Sequence, residues 1–232
     1  MAKSKNIERE HRILAAAVEL FVHYGYDKTT VSDIAQKAGI SKGAIYLHFK
    51  SKDALFEALL MQEMTIYSEI WLELIEADPK GGTMAGMYKN TLYALNRRPF
   101  MSAIFKQDRQ VLGNYVRKPG NLFRDKRYAG TRYEFVKMMQ DAGAIRKNLD
   151  PKIIAHIMNI LAYGLIGMDD VMDAENIPAT DDIIEGIADI MDRALTPDDG
   201  GNSEAGKAIL RQIVASARQQ YEEQANKNSE DT

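Results

Sequence analysis

Apolar residues in this chain return at helical spacing almost from end to end, and no run alternates apolar and polar as a half-buried strand would. Such a pattern confines the chain to an all-α architecture, in which each helix buries one stripe against its neighbours. Leu14, Ala17, Val18 and Phe21 form the first stripe, and Gly25 ends that helix. Thr30 and Asp33 stand at N-cap and N3 spacing ahead of a second stripe, Val31, Ile34, Ala35 and Ala38. Gly39-Ile40 stops that helix after about two turns. Ser41 caps a third helix that runs to about Phe49, and Ser51 caps a fourth over residues 52–76. Further Gly and Pro punctuation sets helices over residues 83–96, 100–112, 121–141, 151–172, 181–195 and 203–224, about ten in all.

Composition narrows what such a helical chain does. At 232 residues it has room for one or two domains and a substantial core. Without cysteine there is no disulfide scaffold, thiolate metal site or thiol nucleophile, which suits a cytoplasmic location. No apolar stretch reaches a membrane span of about 18 residues, and the charged start MAKSKNIEREHR lacks the apolar centre of a secretory leader. The net charge of −3 hides an asymmetry. Residues 1–55 hold nine Lys/Arg against six Asp/Glu, a net +3, and the remainder is −6. Residues 169–199 carry eleven acidic side chains and one basic, Arg193. A basic head on an acidic body points to polyanion binding at one end.

Three short helices with a tight glycine turn between the second and third outline a helix-turn-helix. In that motif the second helix crosses the phosphate backbone and the third enters the major groove. The third helix therefore needs one side anchored and one side free. Ile45 and Phe49 supply the anchored side and Ile40 plugs the turn, which leaves Lys42, Gly43, Ala44, Tyr46, Leu47 and His48 outward. An exposed Tyr-Leu pair on so short a helix makes sense if a partner covers it.

The run Phe21-x-x-x-Gly25-Tyr26-x-x-Thr29-Thr30-Val31-x-Asp33-Ile34-Ala35-x-x-Ala38-Gly39-Ile40-Ser41-Lys42-Gly43-Ala44-Ile45-Tyr46-x-His48-Phe49-x-Ser51-Lys52 resembles the DNA-binding head of TetR-family transcriptional regulators. The stretch Gly143-Ala144-Ile145-Arg146-x-x-Leu149-Asp150-Pro151 is similar to that family's lead-in to its eighth helix. The resemblance implies a helix-turn-helix DNA-binding domain over residues 1–52. It implies a helical ligand-binding and dimerisation domain over 53–224, with 225–232 a frayed tail. Lys42 and Gly43 would lie against base edges, and Leu47 would meet a thymine methyl. Tyr46, His48, Thr30 and Ser32 would bond phosphates, and Lys52 would clamp another at the start of the fourth helix. Ala44 stands where many members carry a hydroxyl, so one contact is missing. Each role has an ordinary counterpart: Tyr46 as a core tyrosine, His48 as a helix-end residue, Lys52 as a solvated lysine, Thr30 as a cap alone.

The family's bodies bind a small molecule and dimerise, and their members are most often repressors released from a double-stranded, palindromic operator. The helix over 151–172 is apolar nearly all round, so one side would face its own domain and the other a second subunit. Pocket candidates are polar or aromatic residues on apolar helices: Tyr67, Trp71, Tyr93, Phe105, Tyr133, His156, Asn159 and Tyr163. Burial would oblige His156 and Asn159, one turn apart, to find partners. The basic run Arg117, Lys118, Arg124, Lys126, Arg127 and Arg132 reads as a solvated face or as a receptor for an anionic ligand. No cofactor, metal spacing or catalytic motif is legible around His11, His23, His48 or His156, so an all-helical enzyme is the remote alternative. A sequence-indifferent structural DNA-binding protein is the other.

Overall fold

The computed structural model describes residues 2–106, 108–119, 132–167 and 172–230. Among them the regular structure is helical: α1 (Ala2–Lys28), α2 (Val31–Ala38), α3 (Lys42–Tyr46), α4 (Lys52–Ala77), α5 (Met84–Asn96), α6 (Pro99–Lys106), α7 (Arg109–Leu112), α8 (Arg132–Asp141), α9 (Pro151–Gly167), α10 (Thr180–Leu195) and α11 (Ser203–Glu230). The expected all-α architecture is present, with eleven α-helices and short 3₁₀ turns at Gly113–Arg117 and Ala174–Asn176. No described helix is long and apolar enough to cross a membrane. Contacts gather the chain into two units, Met1–Met64 with Pro99–Ala129, and Thr65–Arg98 with Gly130–Thr232.

The first unit is organised around Phe56 of α4. Its ring lies 5.0 Å from Phe21, 5.1 Å from Tyr26, 4.6 Å from Tyr115 and 5.8 Å from Phe100. Edge-to-face and tilted pairs of this kind add to the area that the rings bury. Gly25 interrupts α1 with φ 81 and ψ 164, and that break turns Tyr26 into the cluster. Residues 99–117 thus belong to the first unit, although they lie within the 53–224 span that the resemblance implies for the ligand-binding domain.

The second unit pairs α5 with α10 and α8 with α9, and α11 lies on α8. Its core is rich in methionine, with Met84, Met87, Met139, Met158 and Met191 all buried beside Ile75, Tyr88, Val136 and Leu210. The start of α11 is locked to the turn before α5. A Cβ on Gly206 would collide with the Gly82 carbonyl oxygen, and one on Gly82 with that of Ser203. The Ser203 hydroxyl accepts from Gly82 N at 3.1 Å and donates to Pro79 O at 2.9 Å. Buried Lys207 donates to Glu76 O at 3.3 Å, and Arg211 forks onto the Glu76 carboxylate at 2.6 and 2.9 Å.

Several boundaries differ from the sequence reading. The helix expected over 100–112 is broken, because the Asp108 side chain caps a new start by accepting from Gln110 N and Val111 N. Of the helix expected over 121–141, residues 121–131 lie outside the described residues, and α8 begins at Arg132. Residues 168–171, at the end of the helix expected to reach 172, also lie outside them. The last helix continues to Glu230, past the expected end near 224 and through most of the tail read as frayed. Glu222, Glu223, Gln224 and Ala225, all good helix formers, lead the helix into that stretch.

Because two backbones touch at Gly206, Gly206→Ala should destabilise the protein by about 2 kcal/mol, the usual cost of forcing extra atoms into a packed contact. Urea unfolding checks this; an unchanged midpoint would contradict the contact.

Candidate nucleic-acid interface

The helix-turn-helix is built from local signals. The Thr30 hydroxyl accepts from Asp33 N at 3.2 Å, while the Asp33 carboxylate accepts from Thr30 N at 2.9 Å and from the Thr30 hydroxyl at 2.7 Å. The Thr30 hydroxyl proton is therefore spent on Asp33, and any phosphate contact at this corner falls more naturally to the first-turn amides of α2. Ser32 is exposed beside them. Gly39 ends α2 in the left-handed region, φ 67 and ψ 37, with its N–H on Ala35 O and Gln36 O. Ser41 then caps α3, accepting from Ala44 N at 3.1 Å.

α3 spans five residues and is held by Ile45 and Phe49, 1% and 6% exposed. On its other side Lys42 and Gly43 are exposed and Ala44 is half-buried. Tyr46 is 48% exposed and Leu47 77%. Gly43 answers to nothing inside the fold. A Cβ there would meet only the Ser41 hydroxyl, at 3.9 Å, and its backbone is ordinary.

Two expected outward residues face elsewhere. The His48 side chain is 4% exposed and lies against Glu10 of α1, its Nδ1 3.9 Å from the carboxylate. The reason is helical phase: His48 follows Ile45 by three residues and so joins the inward stripe. Lys52 spends its ammonium internally, donating to Tyr26 O at 2.8 Å and Thr29 O at 3.1 Å and lying 4.1 Å from the Tyr26 ring centroid. Burial lowers its pKa more than the nearby carboxylates raise it.

The pocket candidates scatter. Trp71 and Tyr93 pack against the methionine-rich core of the second unit, and among the described residues the buried Trp71 Nε1 has no hydrogen-bond partner. The Tyr93 hydroxyl donates to Glu185 at 2.7 Å. Burial, that bond and the charges of Glu185, Asp181 and Asp182 push its pKa up to about 12, which keeps the phenol neutral. Tyr67 and Asn159 are half-buried. Tyr133 is half-buried, with the Lys152 ammonium 5.5 Å from its ring centroid. Phe105 belongs to the first unit. His156 is exposed on α9, where burial was expected, because α9 turns Ile153, Ile157 and Ile160 outward beside it. The side chain of Tyr163 lies outside the described residues. Tyr88, outside the set expected from sequence, is buried in the same core with its hydroxyl 3.5 Å from Met158 O. Its place on α5 beside Met84 and Met87 was the available signal.

Comparison with known proteins agrees with this geometry. Residues 13–59 match the family model described as bacterial regulatory proteins, tetR family. A helix-turn-helix-type transcriptional repressor of Mycobacterium tuberculosis is 25% identical over 178 residues, 76% of this chain and 91% of that protein. Over the head alone, an uncharacterised helix-turn-helix-type regulator of Bacillus subtilis reaches 52% identity across 48 residues, 21% of this chain but only 17% of that protein. The crystal structure of a transcriptional regulator from Aquifex aeolicus superimposes with a TM-score of 0.57 at 21% identity, covering 79% of this chain and 97% of that one.

The Asp33 carboxyl lies below the usual aspartate range because Thr30 donates to it from both hydroxyl and amide. A lowered folded value means that this cap contributes stability above an unfolded pKa of about 3.9 and loses it as pH falls through the folded value. An NMR titration should place the Asp33 midpoint below the usual range, and Thr30→Ala should move it upward. No movement on that substitution would contradict the capping assignment.

Proposed function

Because the chain belongs to the TetR family of bacterial regulatory proteins, we propose that it is a transcriptional repressor that reads a palindromic operator and leaves it when a small molecule binds the second unit. The observation that carries this is the outer side of α3, where an ordinary-backbone glycine, an exposed tyrosine and a nearly bare leucine lie together. Residues 1–52 do the reading. Lys42 donates to guanine O6 or N7, Gly43 lets the backbone approach, and Leu47 meets a thymine methyl. Tyr46, Ser32 and the start of α2 hold phosphates and fix register. Thr30 and Lys52 act mainly by shaping the corner between α1 and α2, and His48 by holding α3 on α1.

Two copies assemble through α9 and its neighbours α10 and α11. Ile153, Ile157 and Ile160 recur at i, i+4 and i+7 and are 59%, 49% and 57% exposed in the single chain. A second copy supplies the cover that this stripe needs and presents the two reading helices to half-sites about one helical turn apart or slightly more. The effector lies among the aromatic and methionine side chains near Trp71, whose indole N–H would donate to it. α4 begins in the first unit and ends in the second, so it is the covalent route between effector and head. The effector acts only through its differential affinity for two states of the body.

Selection from a random DNA library should yield a palindrome. Lys42→Ala and Tyr46→Ala should each weaken its binding about 5- to 100-fold, the range for one base or phosphate contact. Unchanged affinity in both would contradict the reading, and equal affinity for random duplex at two salt concentrations would favour a sequence-indifferent binder. Separately, Ile157→Glu should convert a dimer to a monomer in sedimentation; a dimer that persists would place the interface elsewhere.

A further inference from the structure

Residues 108–118 lie against the end of α1, and two glycines make the approach possible. A Cβ on Gly25 would collide with the Gln110 carbonyl oxygen, and one on Gly113, at φ 50, would sit 2.6 Å from the Asp27 carboxylate. Both oxygens of Asp27 accept from Asn114 N at 3.1 Å. Tyr115 is buried against Phe56 and donates to Glu57 at 3.0 Å. At the far end the Lys118 ammonium lies 2.6 Å from each oxygen of Asp53 and 3.1 Å from the Tyr26 hydroxyl, which itself donates to Asp53. Asp53 adjoins Lys52, whose ammonium holds the Tyr26 and Thr29 carbonyls just ahead of the Thr30 cap. Burial alone would raise Asp53, yet the bonds from Lys118 and Tyr26 carry it below the usual range, so it stays anionic.

We infer that Asp53 and Lys118 are positioning residues for DNA reading: with Lys52 they fix the corner between α1 and α2 from which α2 meets the phosphate backbone. The two side chains are 37% and 40% exposed, and an isolated pair so exposed contributes little. This pair is not isolated. The glycine contacts bring residues 108–118 against α1, and the salt bridge closes that seat over Tyr26. A cation and an anion alternate from Lys118 through Asp53 to Lys52 and then to the backbone carbonyls of the corner. The pair therefore acts on geometry more than on stability. The basic run, legible in the sequence as a solvated face or as a receptor for an anionic ligand, contains at least one lysine with this internal task; Arg124, Lys126 and Arg127 lie outside the described residues, as does the side chain of Arg132.

The inference rests on the DNA-binding reading, and its test separates the two. In the full chain, Lys118→Met, Asp53→Asn, the double variant and Lys118→Arg are compared for affinity to the selected palindrome and for amide hydrogen exchange at Thr29 and Thr30 without DNA. Each single loss should weaken operator binding about tenfold, within the usual span of couplings between sites. The double variant should be no worse than either single one, as expected for a shared unit. Arginine should restore most of the affinity, and exchange at Thr29 and Thr30 should accelerate in the broken variants while α5 and α10 stay protected. Affinity within twofold of the native chain, additive losses, no recovery with arginine, or unchanged exchange at the corner would overturn the inference. If the native chain selects no sequence at all, the DNA reading fails, while the exchange data still report whether Asp53 and Lys118 fix the corner between α1 and α2.

Discussion

A five-residue helix cannot hold itself together in water, since nucleating a helical turn costs more than so few bonds return. α3 exists because Ile45 and Phe49 pin it to the head, Ser41 caps it and Gly39 brings the chain into it at the required angle. Everything proposed about function follows from that anchoring. It uses one side of the helix only and leaves Lys42, Gly43, Tyr46 and Leu47 on the other. A longer amphipathic helix would have given no such information, because a solvated outer face would be ordinary there.

The anchoring is in turn supported from behind. Phe56 gathers Phe21, Tyr26, Phe100 and Tyr115 into one aromatic cluster, and residues 99–117 close over it. The reading head is therefore not a free-standing three-helix module. Part of the chain that follows α5 in sequence completes its core, and the same segment carries the groups that touch Asp27, Asp53 and Glu57. Residues 114–118 thus touch the carboxylates that border the corner between α1 and α2.

Much of this was legible in the sequence, for identifiable reasons. Caps and turns are local, so the Thr30–Asp33 box, the Gly39 turn and the Ser41 cap were readable as written. The helical stripes of α1 and α2 were equally plain. His48 lies inward, against the expectation for the outer side of α3, because it stands three residues on from Ile45. The return of residues 99–117 to the head depends on contacts between distant segments, which no local pattern encodes. The isoleucine stripe on α9 followed from composition only in part, and the exposure of His156 not at all: an all-round apolar helix says that cover is needed, not which side its own fold supplies.

The most direct test is hydroxyl-radical labelling of the protein with and without the selected duplex. Labelling of Tyr46 and Leu47 should fall sharply on binding, while Met138, 42% exposed on α8, should keep its level. Equal labelling of Tyr46 and Leu47 in the bound and free protein would show that DNA does not fill the open side of α3, and the account would fail at its base.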